Sequence, residues 1–196
     1  MSSNSPHTSL TMLQRMNAHD EIAWEQFSLL YSPLLEKWIR SFTVSEDDLS
    51  DVLQLVLARV AANLNSFDAH RKDRTFRGWM YRMTQRIACD YLQIKHKTPR
   101  ARGGSDALEA LHQLPEIIDD LSETARLELL NLRRRALDLL KTDFQEQTWQ
   151  AFWRCTIDGL KSTEVASELN MTAGAVRKAK SRVLLRLREE FDGLLS

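Results

Sequence analysis

The sequence predicts an all-α protein, made of two small helical domains joined by a flexible acidic linker. Apolar residues recur at helical spacing along most of the 196 residues, and strand-like alternation is not seen. Helix-breaking residues are scarce but gather in one stretch, at Pro99, Gly103, Gly104 and Pro115. We therefore predict an N-terminal domain over residues 1–97, a linker over 98–122 and a C-terminal domain over 123–196.

Three amphipathic helices are predicted in the N-terminal domain. The first carries its apolar stripe from Trp24 to Phe42. The second runs from about Leu49 to Leu64, after an acidic first turn at residues 46–48 that suits the positive end of a helix dipole. The third carries its apolar residues from Phe76 to Ile94.

The C-terminal domain is predicted to end in a helix-turn-helix. Helices at about 123–141 and 145–158 come first, and Gly159 marks a helix stop. Two further helices follow at about 163–169 and 173–191, separated by a short turn.

The last of these helices has the features of a recognition helix. Thr172 is a plausible N-cap, and Val176 and Val183 belong to its inner, apolar face. The outward face then carries cations and a hydroxyl, which is the chemistry that contacts base edges and phosphates in the major groove. These residues are Arg177, Lys178, Ser181 and Arg182. The alternative is an amphipathic surface helix whose cations are only solvated.

Charge is balanced overall but unevenly distributed. Lysine plus arginine and aspartate plus glutamate both number 27. Residues 71–102 hold ten cations and two anions, and residues 177–190 hold six cations and two anions. Between them, residues 103–125 hold six acids and no lysine or arginine. Two basic segments separated by an acidic one indicate two surfaces for nucleic acid.

The first basic segment mixes cations with aromatic residues, a composition that suits unpaired bases as well as phosphates. On the predicted third helix, Tyr81, Arg82 and Gln85 are placed on the outer face. Trp79 and Tyr91 fall on the apolar stripe, where core packing is expected.

Four segments, in order, resemble the sigma-70 superfamily of bacterial RNA polymerase sigma factors, specifically its extracytoplasmic-function group. The first two are DEIAWEQFSLLYSPLLEKWIRSF (20–42) and EDDLSDVLQLVLARVAANLNSFD (46–68). FRGWMYRMTQRIACDYL (76–92) resembles the promoter-melting helix, and residues 144–190 resemble the domain that reads the −35 element. Arg86 stands where the family often has asparagine, and Leu55 where it often has an acid.

The resemblance implies a function and a set of site residues. The protein would bind the clamp of the largest polymerase subunit and the flap region, and would recognise promoter DNA. Contacts to the core polymerase would come from Asp48, Asp51 and Gln54. Contacts to the −10 element would come from Arg74, Arg77, Tyr81, Arg82, Gln85 and Arg86. Contacts to the −35 element would come from Thr172, Arg177, Lys178, Ser181 and Arg182. An anti-sigma protein is a further possible partner, and the acidic linker would mimic nucleic acid in the polymerase channels.

A stand-alone helix-turn-helix regulator of duplex operator DNA is the alternative function. An enzyme is disfavoured, because the five histidines are scattered and no glycine-rich phosphate loop is present. We expect no cofactor and no metal site. The two cysteines, Cys89 and Cys155, show no disulfide or metal spacing, which fits a reducing, cytoplasmic location without membrane insertion.

Overall fold

All the regular elements are helices in a computed structural model of the chain, which describes residues 11–67, 75–97 and 123–195. The helices are α1 (Met12–Asn17), α2 (Glu21–Ser41), α3 (Glu46–Asn63), α4 (Phe76–Lys97), α5 (Glu123–Leu140), α6 (Glu146–Thr156), α7 (Ser162–Glu168) and α8 (Ala173–Glu190). Short 3-10 turns at Leu64–Ser66 and Lys141–Asp143 follow α3 and α5. The predicted all-α class is therefore confirmed for the described residues.

Helix α1 was not predicted, and it is held by local hydrogen bonds. The backbone N–H of Thr11 donates to Oε1 of Gln14 at 2.9 Å, and the N–H of Gln14 donates back to Oγ1 of Thr11 at 3.3 Å. This reciprocal cap satisfies two N–H groups that the first helical turn leaves without partners. Met12, Leu13 and Met16 are buried, so tertiary packing stabilises a helix of only six residues.

The N-terminal helices pack around a stripe on α3 and a group of aromatic rings. Val52, Val56 and Val60 are fully buried and four residues apart, so they form one row along α3. Phe76, at the start of α4, meets the rings of Phe27 and Tyr31 on α2, with centroids 6.0 and 5.6 Å away. Aromatic edge-to-face contacts of this kind stabilise a core beyond the area that they bury.

Helix α5 has apolar residues on two sides and packs in two directions. Leu132, Ala136 and Leu140 belong to the same core as the N-terminal helices, and α5 lies against α2. Leu137 instead packs with Trp149 of α6 and other residues of a separate cluster. The domain boundary placed before residue 123 stays a prediction, and the predicted linker at 98–122 lies outside the described residues.

The last two helices form the predicted helix-turn-helix, and α6 completes a small core with them. Val165 of α7 and Val176 of α8 are both fully buried there. The turn between these helices contains Asn170 at φ 52°, in the left-handed region that asparagine tolerates better than most residues. Gly159 ends the connection after α6 at φ 73°, as a helix stop requires. Oγ1 of Thr172 accepts the N–H of Ala175 at 3.1 Å, which confirms the predicted N-cap.

Candidate nucleic-acid interface

The outward face of α8 is basic near its N-terminal end. Val176, Ala179 and Val183 are buried on the inner face of the helix. Arg177, Lys178, Ser181 and Arg182 are exposed, as the sequence predicted. The fifth predicted residue, Thr172, is also exposed, but its hydroxyl serves the helix cap. The structure thus brings four polar side chains together on one face that is open to a ligand.

A second feature of α8 lies beside this face and was not predicted. A groove of about 610 Å³ runs along the helix, with the connection between α6 and α7 as its opposite wall. Arg177, Lys180 and Arg188 contribute cations to the groove, and Leu184 and Leu185 contribute apolar surface. Lys180 and Arg188 were not singled out in the sequence, because their shared groove exists only once the connection before α7 lies opposite α8.

Helix α4 carries the other candidate surface. Arg82 and Arg86 are exposed, and Gln85 is half-buried. Arg82 and Arg86 line a cleft of about 360 Å³ between α3 and α4, together with Arg59, Asn63, Trp79, Met83, Ile87 and Asp90. Three arginines around an indole ring can neutralise phosphates and offer a stacking surface, which is the chemistry that binds unpaired nucleotides.

Two of the cleft residues, Arg59 and Asn63, were missed by the sequence analysis. They lie on α3, four residues apart and therefore on one face. The signal in the sequence was a single arginine in a helix that is otherwise free of lysine and arginine. This arginine can be assigned to a cleft only once α4 is known to pack beside α3.

Two predicted −10 contacts are engaged within the protein, because Arg77 is buried and Tyr81 is half-buried rather than fully on the outer face. Its ring packs edge-on against Trp38 at 5.2 Å and against Phe42 at 5.6 Å, and burial raises the pKa of its hydroxyl. Arg77 is only 2% exposed, and its Nη1 donates to the carbonyl oxygen of Ala125 at 2.8 Å. In both cases the cause is packing against a neighbouring helix, which is α5 for Arg77 and α2 for Tyr81. A helical wheel of α4 alone does not show these neighbours.

The remaining predictions for the basic segment have mixed outcomes. Arg74 lies outside the described residues. Trp79 is half-buried and packs against Phe67 and Phe76 at 5.5 and 5.4 Å, so the expected core packing is confirmed even though its edge lines the cleft. Tyr91 is also half-buried and uses its hydroxyl within the chain.

Asp48, one of three predicted polymerase contacts, is engaged within the protein. Its carboxylate accepts hydrogen bonds from Lys95, Ser45 and Tyr91, with the Tyr91 hydroxyl at 2.9 Å. The ammonium of Lys95 is the main reason why the pKa of Asp48 falls from 3.8 to about 2. This carboxylate joins α3 to α4, which makes it a positioning group for the surface around it.

The other two predicted polymerase contacts, Asp51 and Gln54, are exposed on α3 and lie three residues apart, hence adjacent. Apolar surface lies close by, because Leu55 is 48% and Ile94 is 70% exposed and both line a shallow groove of about 340 Å³. An acid, an amide and exposed aliphatic side chains form a mixed surface typical of protein–protein contacts.

Within the described residues, no group of three or more histidine, cysteine, aspartate or glutamate side chains is placed to hold a metal ion. None of the helices described is both long and apolar enough to span a bilayer.

Comparison with known proteins points to one family. Residues 29–98 match the family model of Sigma-70 region 2, which takes in most of α2 and all of α3 and α4. The chain is also 26% identical over 187 residues to the RNA polymerase sigma factor NccH of Alcaligenes xylosoxydans xylosoxydans. That alignment covers 93% of this chain and 94% of NccH, so it extends well beyond region 2. The chain is therefore similar to sigma-70 factors, both over region 2 and in the alignment with NccH.

Proposed function

We propose that this protein is a sigma factor, which directs promoter-specific transcription initiation by reading two DNA elements with two separate surfaces. The observation that carries the proposal is the pair of exposed basic surfaces on α4 and α8, each with the chemistry that its DNA requires. Helix α8, presented by a helix-turn-helix, suits the major groove of duplex −35 DNA. The cleft between α3 and α4, with its arginines and indole, suits the unpaired strand of the −10 element.

For the −35 element we propose base-edge contacts from Lys178, Ser181 and Arg182, and a phosphate contact from Arg177. The first three share the outward face of α8, whereas Arg177 lies at its margin; Arg177 and Ser181 also line the neighbouring groove. For the −10 element we propose contacts from Arg82 and Arg86, with Arg59 added by the geometry of the cleft.

For the core polymerase we propose that Asp51 and Gln54 bind the clamp of the largest subunit. The exposed aliphatic side chains of Leu55 and Ile94 support this assignment, since they extend the polar pair into a larger mixed surface. Asp48 contributes by holding Lys95 and Tyr91 in place beneath that surface.

We propose the polymerase flap as the partner of a second, mainly apolar groove. It has a volume of about 980 Å³ and lies among α5, α6 and α8, with Leu130, Trp153, Ile157 and Leu187 in its walls. Burying such apolar surface is the main favourable contribution to most protein associations. An anti-sigma protein is a further proposed partner, and it would act by covering either polymerase surface.

The test is run-off transcription with purified core polymerase, with and without this protein, on a library of genomic fragments. We expect transcripts to start at a defined set of sites only when the protein is present. Tight binding of the free protein to a palindromic duplex, without any stimulation of core polymerase, would instead support a stand-alone regulator. A variant with Lys178→Ala and Arg182→Ala should retain polymerase binding and lose site selection.

A further inference from the structure

The cleft between α3 and α4 holds a carboxylate as well as arginines. Asp90 follows Arg82 and Arg86 on α4 at intervals of one helical turn, so the three charged side chains form one row along the cleft. Arginine attracts a phosphate, whereas a carboxylate repels it. A cleft that bound only the DNA backbone would therefore be weakened by Asp90, which indicates that this side chain meets a different part of the ligand.

Asp90 is exposed, and no hydrogen bond or ion pair joins its carboxylate to another residue in the part of the chain that the structure describes. Arg86, one turn earlier on α4, is the partner that helical spacing would provide. The same spacing gives an ion pair between Glu36 and Arg40, at 3.5 Å. Arg86 and Asp90 do not pair in this way, so both charges remain available to a ligand.

Asn63 adds a second acceptor from the α3 side of the cleft. Its Nδ2 atom donates to the carbonyl oxygen of Arg59 at 2.8 Å, so the nitrogen of the amide is used within the helix. Its Oδ1 atom accepts no hydrogen bond from any of the described residues. Asn63 and Asp90 thus bring two acceptors to one cleft, and both require an N–H or O–H donor from a ligand.

Unpaired bases differ in the donors that they present to such acceptors. Cytosine, adenine and guanine carry an exocyclic amine, and a carboxylate is the side chain that accepts from the amine of cytosine. Thymine has a carbonyl oxygen in the place of that amine, and this oxygen would face the acceptors unfavourably. Trp79, Met83 and Ile87 give the cleft apolar surface that suits the flat ring of a base.

We propose that Asp90 and Asn63 make this cleft selective for an unpaired base that carries an exocyclic amine, with cytosine favoured over thymine among the pyrimidines. The amine of the base donates to the Asp90 carboxylate, and Oδ1 of Asn63 is the second acceptor. The neighbouring phosphates are held by Arg59, Arg82 and Arg86. The inference rests on the proposed function, because the selected base would belong to the opened −10 strand.

The test compares the affinity of the full chain for short single strands of deoxycytidine and of thymidine, measured by fluorescence anisotropy at low salt. The two strands have the same backbone charge and rings of the same size. The ratio of the two affinities therefore reports the amine, and not the phosphate contacts or the stacking. We expect the parent protein to bind the deoxycytidine strand roughly five- to tenfold more tightly, as one hydrogen bond of about 1 kcal/mol or slightly more would give.

Asp90→Asn should bring the two affinities together, because an amide can also turn its nitrogen toward the thymine carbonyl. The affinity for thymidine should rise in this variant, since a negative charge is removed from the cleft. Asp90→Glu keeps the carboxylate and should retain a preference for deoxycytidine. Asp138→Asn, which changes an exposed carboxylate of α5 outside the cleft, is the matched control and should behave as the parent does.

Equal affinities of the parent for the two strands, or failure to bind either, would overturn the inference. An equal rise of both affinities in Asp90→Asn would also overturn it, because Asp90 would then act only on phosphates. So would weaker binding of core polymerase by Asp90→Asn at an unchanged ratio, since Asp90 also lines the shallow groove with Leu55 and Ile94.

Transcription from promoters with a randomised −10 element extends the test to the polymerase complex. We expect the parent to disfavour thymine at one position where Asp90→Asn accepts it, and an identical base preference of the two proteins would contradict the inference. Failure of the parent to stimulate core polymerase would count against the proposed function alone. The measurement with single strands needs no polymerase, so it would still decide whether the cleft selects a base.

Discussion

At the scale of single residues, two arginines five residues apart on α8 have different predicted roles. Arg182 lies on the outward face beside Lys178, whereas Arg177 also lines the groove at the side of the helix. An arginine bonded to a guanine edge discriminates between bases, and an arginine bonded to a phosphate contributes affinity without sequence preference.

We predict that Arg182→Ala relaxes the preference for one or two base pairs of the −35 element, and that Arg177→Ala weakens all promoters about equally. The loss of discrimination should be about 1–3 kcal/mol at the affected positions. Transcription from a library of randomised −35 elements measures both effects, with exposed Arg126→Ala on α5 as the control. If Lys178→Ala and Arg182→Ala both leave the preferred sequence and the activity unchanged, the cations are only solvated.

Asp48 gives a prediction about pH at the same scale. The folded-state pKa of about 2 lies below the ordinary value of 3.8, so this carboxylate stabilises the fold at pH values above about 4. Its contribution is lost as the pH falls through 2. The stability difference between the parent and Asp48→Asn should therefore be largest above pH 4 and shrink toward pH 2.

Urea unfolding at several pH values between 2 and 5 measures that difference. Asp51→Asn, which alters an exposed carboxylate of the same helix, is the control. If the difference in unfolding free energy between the parent and Asp48→Asn stays constant across this range, the contacts of Asp48 do not stabilise its charged form.

At the scale of elements, the two faces of α8 respond differently to the same substitution. Val183 is fully buried against Trp149 and Phe152, whereas Leu185, two residues farther on, is 53% exposed. Val183→Asp should destabilise the helix-turn-helix by roughly 3 kcal/mol or more, because a charge is placed in an apolar core. Leu185→Asp should leave the unfolding midpoint nearly unchanged. Equal midpoints for the two variants would contradict the orientation of the helix.

Helix α3 allows a corresponding test of polymerase binding. Asp51→Arg reverses a charge on the proposed polymerase surface, and we expect the affinity for core polymerase to fall about tenfold through electrostatic repulsion. Asp47→Arg, an exposed change in the first turn of the same helix, serves as the control. Pull-down of core polymerase at parental efficiency by the Asp51→Arg variant would exclude this position from the contact.

At the scale of the whole molecule, the zero net charge conceals two basic surfaces that we propose to act on the same promoter. Each phosphate contact contributes about 0.9 to the slope of log affinity against log salt concentration for duplex DNA, and about 0.7 for a single strand. The variant with Arg82→Ala and Arg86→Ala should therefore give a promoter complex whose slope is shallower by about 1.4 to 1.8. Filter binding of the polymerase complex between 50 and 200 mM salt measures the slope. A salt-dependence slope equal to that of the parent protein would show that neither arginine contacts the DNA.

The molecule also shows which features sequence patterns can predict. The long helices were predictable because residues such as Val52, Val56 and Val60 repeat at helical spacing. Helix α1 was not predictable, because six residues are too few to show a helical repeat of apolar residues. Its stability comes instead from burial and from an N-terminal cap. The position of Arg77 depends on α5, which follows it by about fifty residues, and that of Tyr81 on α2, so a helical wheel of α4 alone could predict neither.

The left-handed turn at Asn170 has a consequence for how this protein can diverge. A backbone at φ 52° is accessible to glycine and tolerable for asparagine or aspartate, whereas a β-branched side chain would clash with its own main chain. The neighbouring positions on α8 that we propose to contact DNA can change freely as promoters drift, because their side chains are exposed and their backbone is regular helix. Substitution during evolution should therefore be rapid on the outward face of α8 and confined to a few small or amide residues in the turn that presents it.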